Sequence, residues 1–568
     1  MKMRKIIFLF ALLPVFVFAQ EGAFINPVIP GAHPDPSICR AGDDYYIVNS
    51  SFEYFPGLPV HHSKDLVNWE LVGYGLHRKE QASGAVNLVD VQQDGGIHAP
   101  TIRYHDGTFY IITTNVYSPK AKDKPTDMVN FIITADDPEG PWSEPHVIEG
   151  APGIDPDLFF DDDGKAYFVG THDVGNPNKD GIGEIWVQEL DLEDWKLVGE
   201  RHSVWRGACG GCCVEGPHMY KENDSYYLII AEGGTSFNHA VMIAASDSVF
   251  GPFDSNPRNP ILTSRHLTKD YWVNSTGHAD LVELPDGRWY MVALGIRNEI
   301  DRASNMGRET HLMPVTWEPA TVGWEEVSEG NWQPVKYQFP VAAPHTGRVE
   351  RYTPLPFGDK PQRYNDAFVD NFDGQKLDLE WNFRRVPQPE TYSLSAREGF
   401  LRLYAKPERF EMREQYSLMG IRQKESDFEY SARMEFSPEK NSTEAGISLF
   451  QKDDNYMNFT VVLKNGNPTL QLNISEKGKE AGVKKDKLLT DYKGEIILKV
   501  ISGNDKYHFV YSLNGGKSFT SFVTTEADYI LSHGYTGAFL GIYATGNGKS
   551  TGAYADFDWV NYKGHSRY

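Results

Sequence analysis

The sequence predicts an all-β protein, a five-bladed β-propeller followed by a jelly-roll β-sandwich. Three observations carry this expectation. A short pattern recurs five times within the first three hundred residues. Short alternating strands replace it after Asp366. No long helical period follows the N-terminal apolar run.

Residues 1–19 read as a secretory signal peptide. Lys2, Arg4 and Lys5 precede an apolar run from Ile6 to Phe18, and Val17-Phe18-Ala19 offers a cleavage site before Gln20. The run is short for a membrane span and no other stretch reaches that length. The mature chain is expected to be soluble and exported, periplasmic or extracellular.

The propeller is expected over residues 24–340. Each repeat holds a proline or aspartate, an apolar residue two positions on, and then a tyrosine. The copies run Asp35-Pro36-Ser37-Ile38 to Tyr46, Ala99-Pro100-Thr101-Ile102 to Tyr110, Asp155-Pro156-Asp157-Leu158 to Tyr167, Gly216-Pro217-His218-Met219 to Tyr227, and Ala279-Asp280-Leu281-Val282 to Tyr290. The tyrosines are 64, 57, 60 and 63 residues apart. Turns such as Asp106-Gly107, Asp163-Gly164 and Asp286-Gly287 fall inside the copies, and apolar runs follow the tyrosines. Strand, glycine turn and strand make a hairpin, and five such units suggest radial pseudo-symmetry. Trp69, Trp142, Trp195 and Phe253 end a second recurring element and read as packing between blades.

Residues 341–365 are rich in Pro, Arg and Tyr without periodicity and read as a surface linker. Residues 366–568 show short alternating strands, such as Glu429-Tyr-Ser-Ala-Arg-Met-Glu-Phe436, and the hairpin signal Asn514-Gly515. They are expected to form the sandwich.

The repeat also selects a site. Equivalent positions of innermost strands face one another around a propeller's channel. Just before the proline-like positions stand Asp35, His98, Asp155, Glu215 and His278. A single Asp-Pro is ordinary turn chemistry. Three carboxylates in register are not, because acids are depleted in strands and seldom buried unpartnered. Glycosidic bond cleavage needs an acid to protonate the leaving oxygen and a carboxylate to activate water or attack carbon. A third carboxylate nearby would raise the acid's pKa.

The formal charge of −23 argues against nucleic acid or an anionic membrane as partner and is compatible with a neutral substrate. Of four cysteines, Cys209, Cys212 and Cys213 lie together two residues before Glu215, and Cys39 stands apart. A structural zinc site would need a second pair, so a local disulfide pinning this rim is weighed against free packed thiols.

His33-Pro-Asp-Pro-Ser-Ile38, Gly153-Ile-Asp-Pro-Asp-Leu158 and Val214-Glu-Gly-Pro-His-Met219 resemble the three signature motifs of glycoside hydrolase family 43. Ala231-Glu-Gly-Gly-Thr235, Gly277-His-Ala-Asp280 and Met306-Gly-Arg-Glu-Thr310 are similar to its β-xylosidase and α-L-arabinofuranosidase branch, which pairs a propeller with a sandwich. The resemblance implies an exo-acting, inverting hydrolase that removes terminal pentose from a neutral oligosaccharide or polysaccharide. Asp35 would be the general base, Glu215 the general acid and Asp155 the modulator of the acid's pKa. Phe52 and Arg308 would bind the sugar. His278 would hold a calcium ion (Ca2+) in the channel, largely through water, and no organic cofactor is implied. β-Xylosidases of the branch carry Trp-Ala-Pro in the second blade, whereas this chain has His98-Ala99-Pro100. Imidazole in place of indole shifts the expectation toward arabinofuranose, with β-D-xylosidase a near equal. A non-catalytic sugar-binding propeller would lack one of the three carboxylates, and all are present.

Overall fold

The computed structural model describes residues 22–566 apart from 122, 174–182, 210–211, 300–301, 359, 364–365, 477–478, 480 and 528–533. The expected signal peptide lies outside the described residues. Those described are almost entirely strand, turn and loop, with one short 3-10 turn at Glu80–Ala82.

The five repeats fold into five antiparallel sheets whose strands follow one another in sequence, except that blade one skips Tyr54–Phe55. Their first strands are Ser37–Ala41, Gly96–His105, Ile154–Phe160, Glu215–Glu222 and Val273–Glu283. These contact one another in cyclic order, the fifth returning to the first. The repeat tyrosines lie on the second strands, as the hairpin pattern requires. At the Asp106-Gly107 turn both residues have positive φ, 47° and 86°, the geometry that lets a two-residue loop follow the twist of its strands.

Adjacent blades share five apolar cores. The core between blades five and one joins Phe24, Ile38 and Ile47 to Val282, Val292 and Leu312 and so closes the ring. Trp142 and Phe253 are buried in such cores, and Trp69 and Trp195 pack against them. Residues 341–365 include a strand, Tyr352–Pro354, which pairs with Ala23–Ile25 and ties the segment to the start of the propeller.

The C-terminal part is two packed sheets around one large core. Asp427–Glu435 alternates between buried and half-buried residues, the mark of a sheet with one wet face. Glu444–Lys452 in the other sheet is buried throughout. Its outer face is covered by sandwich groups such as Phe410 and Asn547, and at its end, Gln451 and Lys452, by the propeller. Tyr54–Phe55, from blade one, pairs with Asn382–Arg384 and becomes the edge strand of that sheet. Tyr54 stacks on Phe539 at 4.1 Å.

Buried ion pairs cross the same junction. Arg384 meets Glu53 at 2.9 Å with both side chains fully buried. Arg297 of blade five binds Glu309 at 2.7 Å and Glu425 of the sandwich at 2.9 Å. Such pairs are costly to desolvate, but breaking one leaves a charge buried alone. Arg297→Met is therefore expected to lower unfolding stability by about 3–5 kcal/mol, measured by chemical denaturation. A change within about 0.5 kcal/mol, as at an ordinary surface position, would show that the pair does not hold the two parts together.

Candidate active site

The chain bends where the candidate side chains stand. Strand pairing slips between His98 and Thr101, Ile154 and Asp157, Glu215 and His218, and from Asn274 to Ala279. Each slip is a bulge, which re-aims side chains that a regular strand would alternate. Asp35, Asp155 and His278 adopt left-handed φ values of 52°, 55° and 45°, strained for residues with a Cβ. Gly216, beside Glu215, has φ 57°, and a Cβ there would come within 2.8 Å of the His278 ring. A glycine is what lets Glu215 and His278 occupy neighbouring blades so closely.

Asp35 and Asp155 are buried and Glu215 is half-buried, and the three act on one another. Asp35 accepts hydrogen bonds from Ser50 Oγ at 2.6 Å and from Arg308 Nη1 at 2.8 Å. Burial works to raise its pKa, but the Arg308 guanidinium, then His278 and the Ser50 hydroxyl, hold it below the ordinary aspartate value. Glu215 has no such partner. Burial, then the Asp35 charge, outweigh Arg308 and push its carboxyl up to about 7. Asp155 is raised well above the ordinary range by burial, then by Glu215 and Asp35. Glu215 and Asp155 titrate as a pair, which retains a proton where Asp35 has lost its own.

Aromatic and basic groups wall the same space. Phe52 is edge-on to the His98 ring at 5.1 Å. Arg308 lies 5.5 Å from the Phe52 ring centroid and 5.4 Å from that of Tyr535. Burial lowers His98 to about 4 and so keeps it neutral, with Nε2 donating to the Asp94 carbonyl at 3.2 Å. All seven residues singled out from the sequence thus fall in one region.

Several partners were not foreseen. Tyr535 comes from the sandwich, stacks on Phe52 at 5.6 Å, and its carbonyl accepts from Arg308 Nη2 at 3.1 Å. Lys452, also from the sandwich, pairs with Asp94, whose Oδ1 accepts from the Tyr535 amide at 3.3 Å. No local motif marks these residues; only the docking of the sandwich brings them here. Deeper in the channel, Arg103 pairs with Asp157 at 2.8 Å and Asp280 at 3.2 Å, placing a charged floor beneath the carboxylates. The repeat register could have located that floor, because Asp157 and Asp280 are both residues of the five copies.

Of the two alternatives weighed for the rim near Glu215, the structure has the free thiols. Cys39, Cys209, Cys212 and Cys213 are free thiols, and no disulfide pins the segment. The pin is a buried carboxylate. Glu232 Oε2 accepts from the Ala208 and Cys209 amides at 3.0 and 3.2 Å, and Gly233 N donates to the Cys212 carbonyl at 2.9 Å. Gly210 and Gly211 lie outside the described residues.

The donor set for a channel cation is thin. No group of three or more His, Cys, Asp or Glu side chains among the described residues is placed to hold a metal. Burial keeps His278 neutral, at about 4, and leaves it competent as a ligand. The neighbouring His218 Nε2 is buried without a hydrogen-bond partner. Asp35, 3.8 Å from His278, is already engaged by Arg308 and Ser50. These residues fit a cation held mainly through water and not a cage of protein oxygens.

Comparison with known proteins agrees with this geometry. The model of glycosyl hydrolases family 43 matches residues 24–322, and that of the β-xylosidase C-terminal concanavalin A-like domain matches residues 369–563. A xylosidase/arabinosidase of Butyrivibrio fibrisolvens is 40% identical over 551 residues, covering 94% of this chain and 98% of that protein. The non-reducing end α-L-arabinofuranosidase BoGH43B of Bacteroides ovatus is 36% identical over 562 residues, covering 99% and 98%. The solved structure titled Bacteroides ovatus xyloglucan PUL GH43B superposes with a TM-score of 0.83 at 35% identity, covering 96% of this chain and all of that one. With the signature carboxylates buried together beneath the sandwich, this chain belongs to glycosyl hydrolase family 43 and is a glycosidase.

Proposed function

We propose that the protein is an exo-acting, inverting hydrolase that removes terminal pentose from hemicellulose, with α-L-arabinofuranose as the leading substrate. The observation that carries the reading is the division of protonation among buried carboxylates. Asp35 is held charged by Arg308, while Glu215 is pushed up to about 7. A base that is charged and an acid that is protonated at the same pH are what single displacement requires. Asp35 would take the proton of the attacking water as Glu215 protonates the departing oxygen. Asp155 would share the acid's proton and keep it available. Arg308, beside the stacked Phe52 and Tyr535 rings, would orient the sugar as well as hold Asp35 ionised. A calcium ion held through water at His278 would add a fixed positive charge beside Asp35 and lower that carboxyl further.

Exo action is supported by the sandwich side chains Tyr535 and Lys452 at the pocket wall, which obstruct passage of a continuous chain. His98 supports arabinofuranose, since its polar ring stands where the branch's xylosidases carry indole. β-D-Xylosidase is the second reading, favoured by the match to the β-xylosidase C-terminal domain. The basic and apolar run at residues 2–18 supports export.

Glu215→Gln and Asp35→Asn are each expected to cut kcat by about 10²–10⁴-fold with the fold intact; near-native turnover by either would refute its role. The rate should fall on the acid side only below the ordinary aspartate range, as Asp35 gains a proton. On the alkaline side it should fall above about pH 7, as Glu215 loses its own. Asp155→Asn removes the partner that shares this proton, so the alkaline limb should move to lower pH. An unmoved limb would mean that burial and Asp35 alone set it. With nitrophenyl pentosides, turnover should be higher on α-L-arabinofuranoside than on β-D-xylopyranoside. Proton NMR of the first-formed sugar should show inverted configuration; retention would exclude the mechanism.

A further inference from the structure

Of the twelve tryptophans, ten are buried or half-buried. The two exposed ones, Trp324 and Trp332 at 64% and 56%, are neighbours. They lie on a ribbon formed by Arg308–Ser328 and Asn331–Ala342. The preceding strand of blade five, Trp289–Arg297, pairs only as far as Val315. Beyond it the two strands continue as a hairpin outside the sheet. Trp317 and Phe339 anchor its base against Tyr227.

Register puts the two indoles together. Trp324 pairs with Pro334 and Glu326 with Trp332, so all four share one face and the tryptophans are diagonal neighbours. That geometry places their Cα atoms about 7–8 Å apart. On the opposite face Gln333 Nε2 donates to Glu325 Oε1 at 2.6 Å, and at the tip Gly330 N donates to Glu326 Oε1 at 2.7 Å. The ribbon is therefore tied near its tip and presents two exposed indoles on one face, edged by polar groups.

The charge of the ribbon selects the occupant. Residues 316–336 carry four carboxylates, Glu318, Glu325, Glu326 and Glu329, against one lysine, Lys336; Glu318 pairs with Arg258 at 2.7 Å, so the excess negative charge sits at the tip beside the tryptophans. A second copy meeting this face would set Glu326 against Glu326 on a chain of formal charge −23. Nucleic acid and anionic lipid are repelled in the same way. A neutral polymer with flat apolar ring faces and hydroxyl edges meets no such penalty, because indole covers the faces and carboxylate or amide accepts the hydroxyls.

We propose that Trp324 and Trp332 form a binding platform, separate from the catalytic pocket, for the backbone of a neutral hemicellulosic polysaccharide. The choice of polymer rests on the proposed function; the existence of the platform does not. It would hold the enzyme on a polymer whose terminal pentoses the pocket removes.

The test is affinity electrophoresis of the full chain in native gels containing soluble arabinoxylan or xyloglucan, comparing wild type with Trp324→Ala/Trp332→Ala. Wild type should be retarded in at least one polymer. The double variant should bind at least about tenfold more weakly, the scale of a lost interfacial tryptophan. Its kcat/KM on nitrophenyl pentoside should be unchanged. Equal retardation of the two proteins, or none of the wild type, would overturn the proposal. Sedimentation that shows a wild-type dimer abolished in the double variant would also overturn it, in favour of a second copy. The catalytic reading fails separately, if Glu215→Gln still turns over pentoside.

Discussion

Asp35 and Arg308 meet at 2.8 Å in a pocket that also buries Asp155 and holds the half-buried Glu215. Three carboxylates in a low-dielectric space cannot all be charged, and one guanidinium decides which of them is. Arg308 touches Asp35 directly and lowers it. The charge so created on Asp35 raises both Glu215 and Asp155. A charged carboxylate and a protonated one are thus two consequences of one ion pair. The rest of the pocket serves this arrangement, since bulges turn the acids inward and the Arg103 floor closes the channel below them.

Arg308 is itself fixed from outside its own domain. Its Nε and Nη2 donate to the Tyr535 carbonyl, and its guanidinium lies beside the stacked rings of Phe52 and Tyr535. Tyr535 belongs to the sandwich, which shares a sheet with blade one and is tied to blade five by Arg297. The sandwich is accordingly part of the catalytic apparatus. Its docking positions the cation on which the protonation states depend, and the same docking narrows the pocket for a chain end.

The propeller and its carboxylates were legible because both are periodic. Repeats about sixty residues long place Asp35, Asp155 and Glu215 at equivalent positions around the starts of the first strands, and hairpin turns such as Asp106-Gly107 declare their geometry locally. The contribution of Tyr535 and Lys452 was hidden, because it depends on how two domains dock and leaves no spacing to read. The rim stayed open for a related reason: three clustered cysteines allowed a disulfide or free thiols, and Glu232, distant in sequence, supplies the carboxylate that accepts the rim amides. The tie of Tyr352–Pro354 to Ala23–Ile25 was equally invisible in a segment without alternation. The exposed tryptophan pair emerges only once strand register is known, since Trp324 and Trp332 are eight residues apart on different strands.

The central claim is that one buried ion pair divides the protonation of the pocket. Its most direct test is a carbon-13 NMR titration of the side-chain carboxyl groups, assigned with Asp35→Asn and Glu215→Gln. The account predicts that Asp35 titrates below the ordinary aspartate range while Glu215 titrates near 7, and that Arg308→Met moves the Asp35 transition upward. Coincident titration of the two carboxyls in the ordinary range, or an Asp35 transition indifferent to the loss of Arg308, would contradict it.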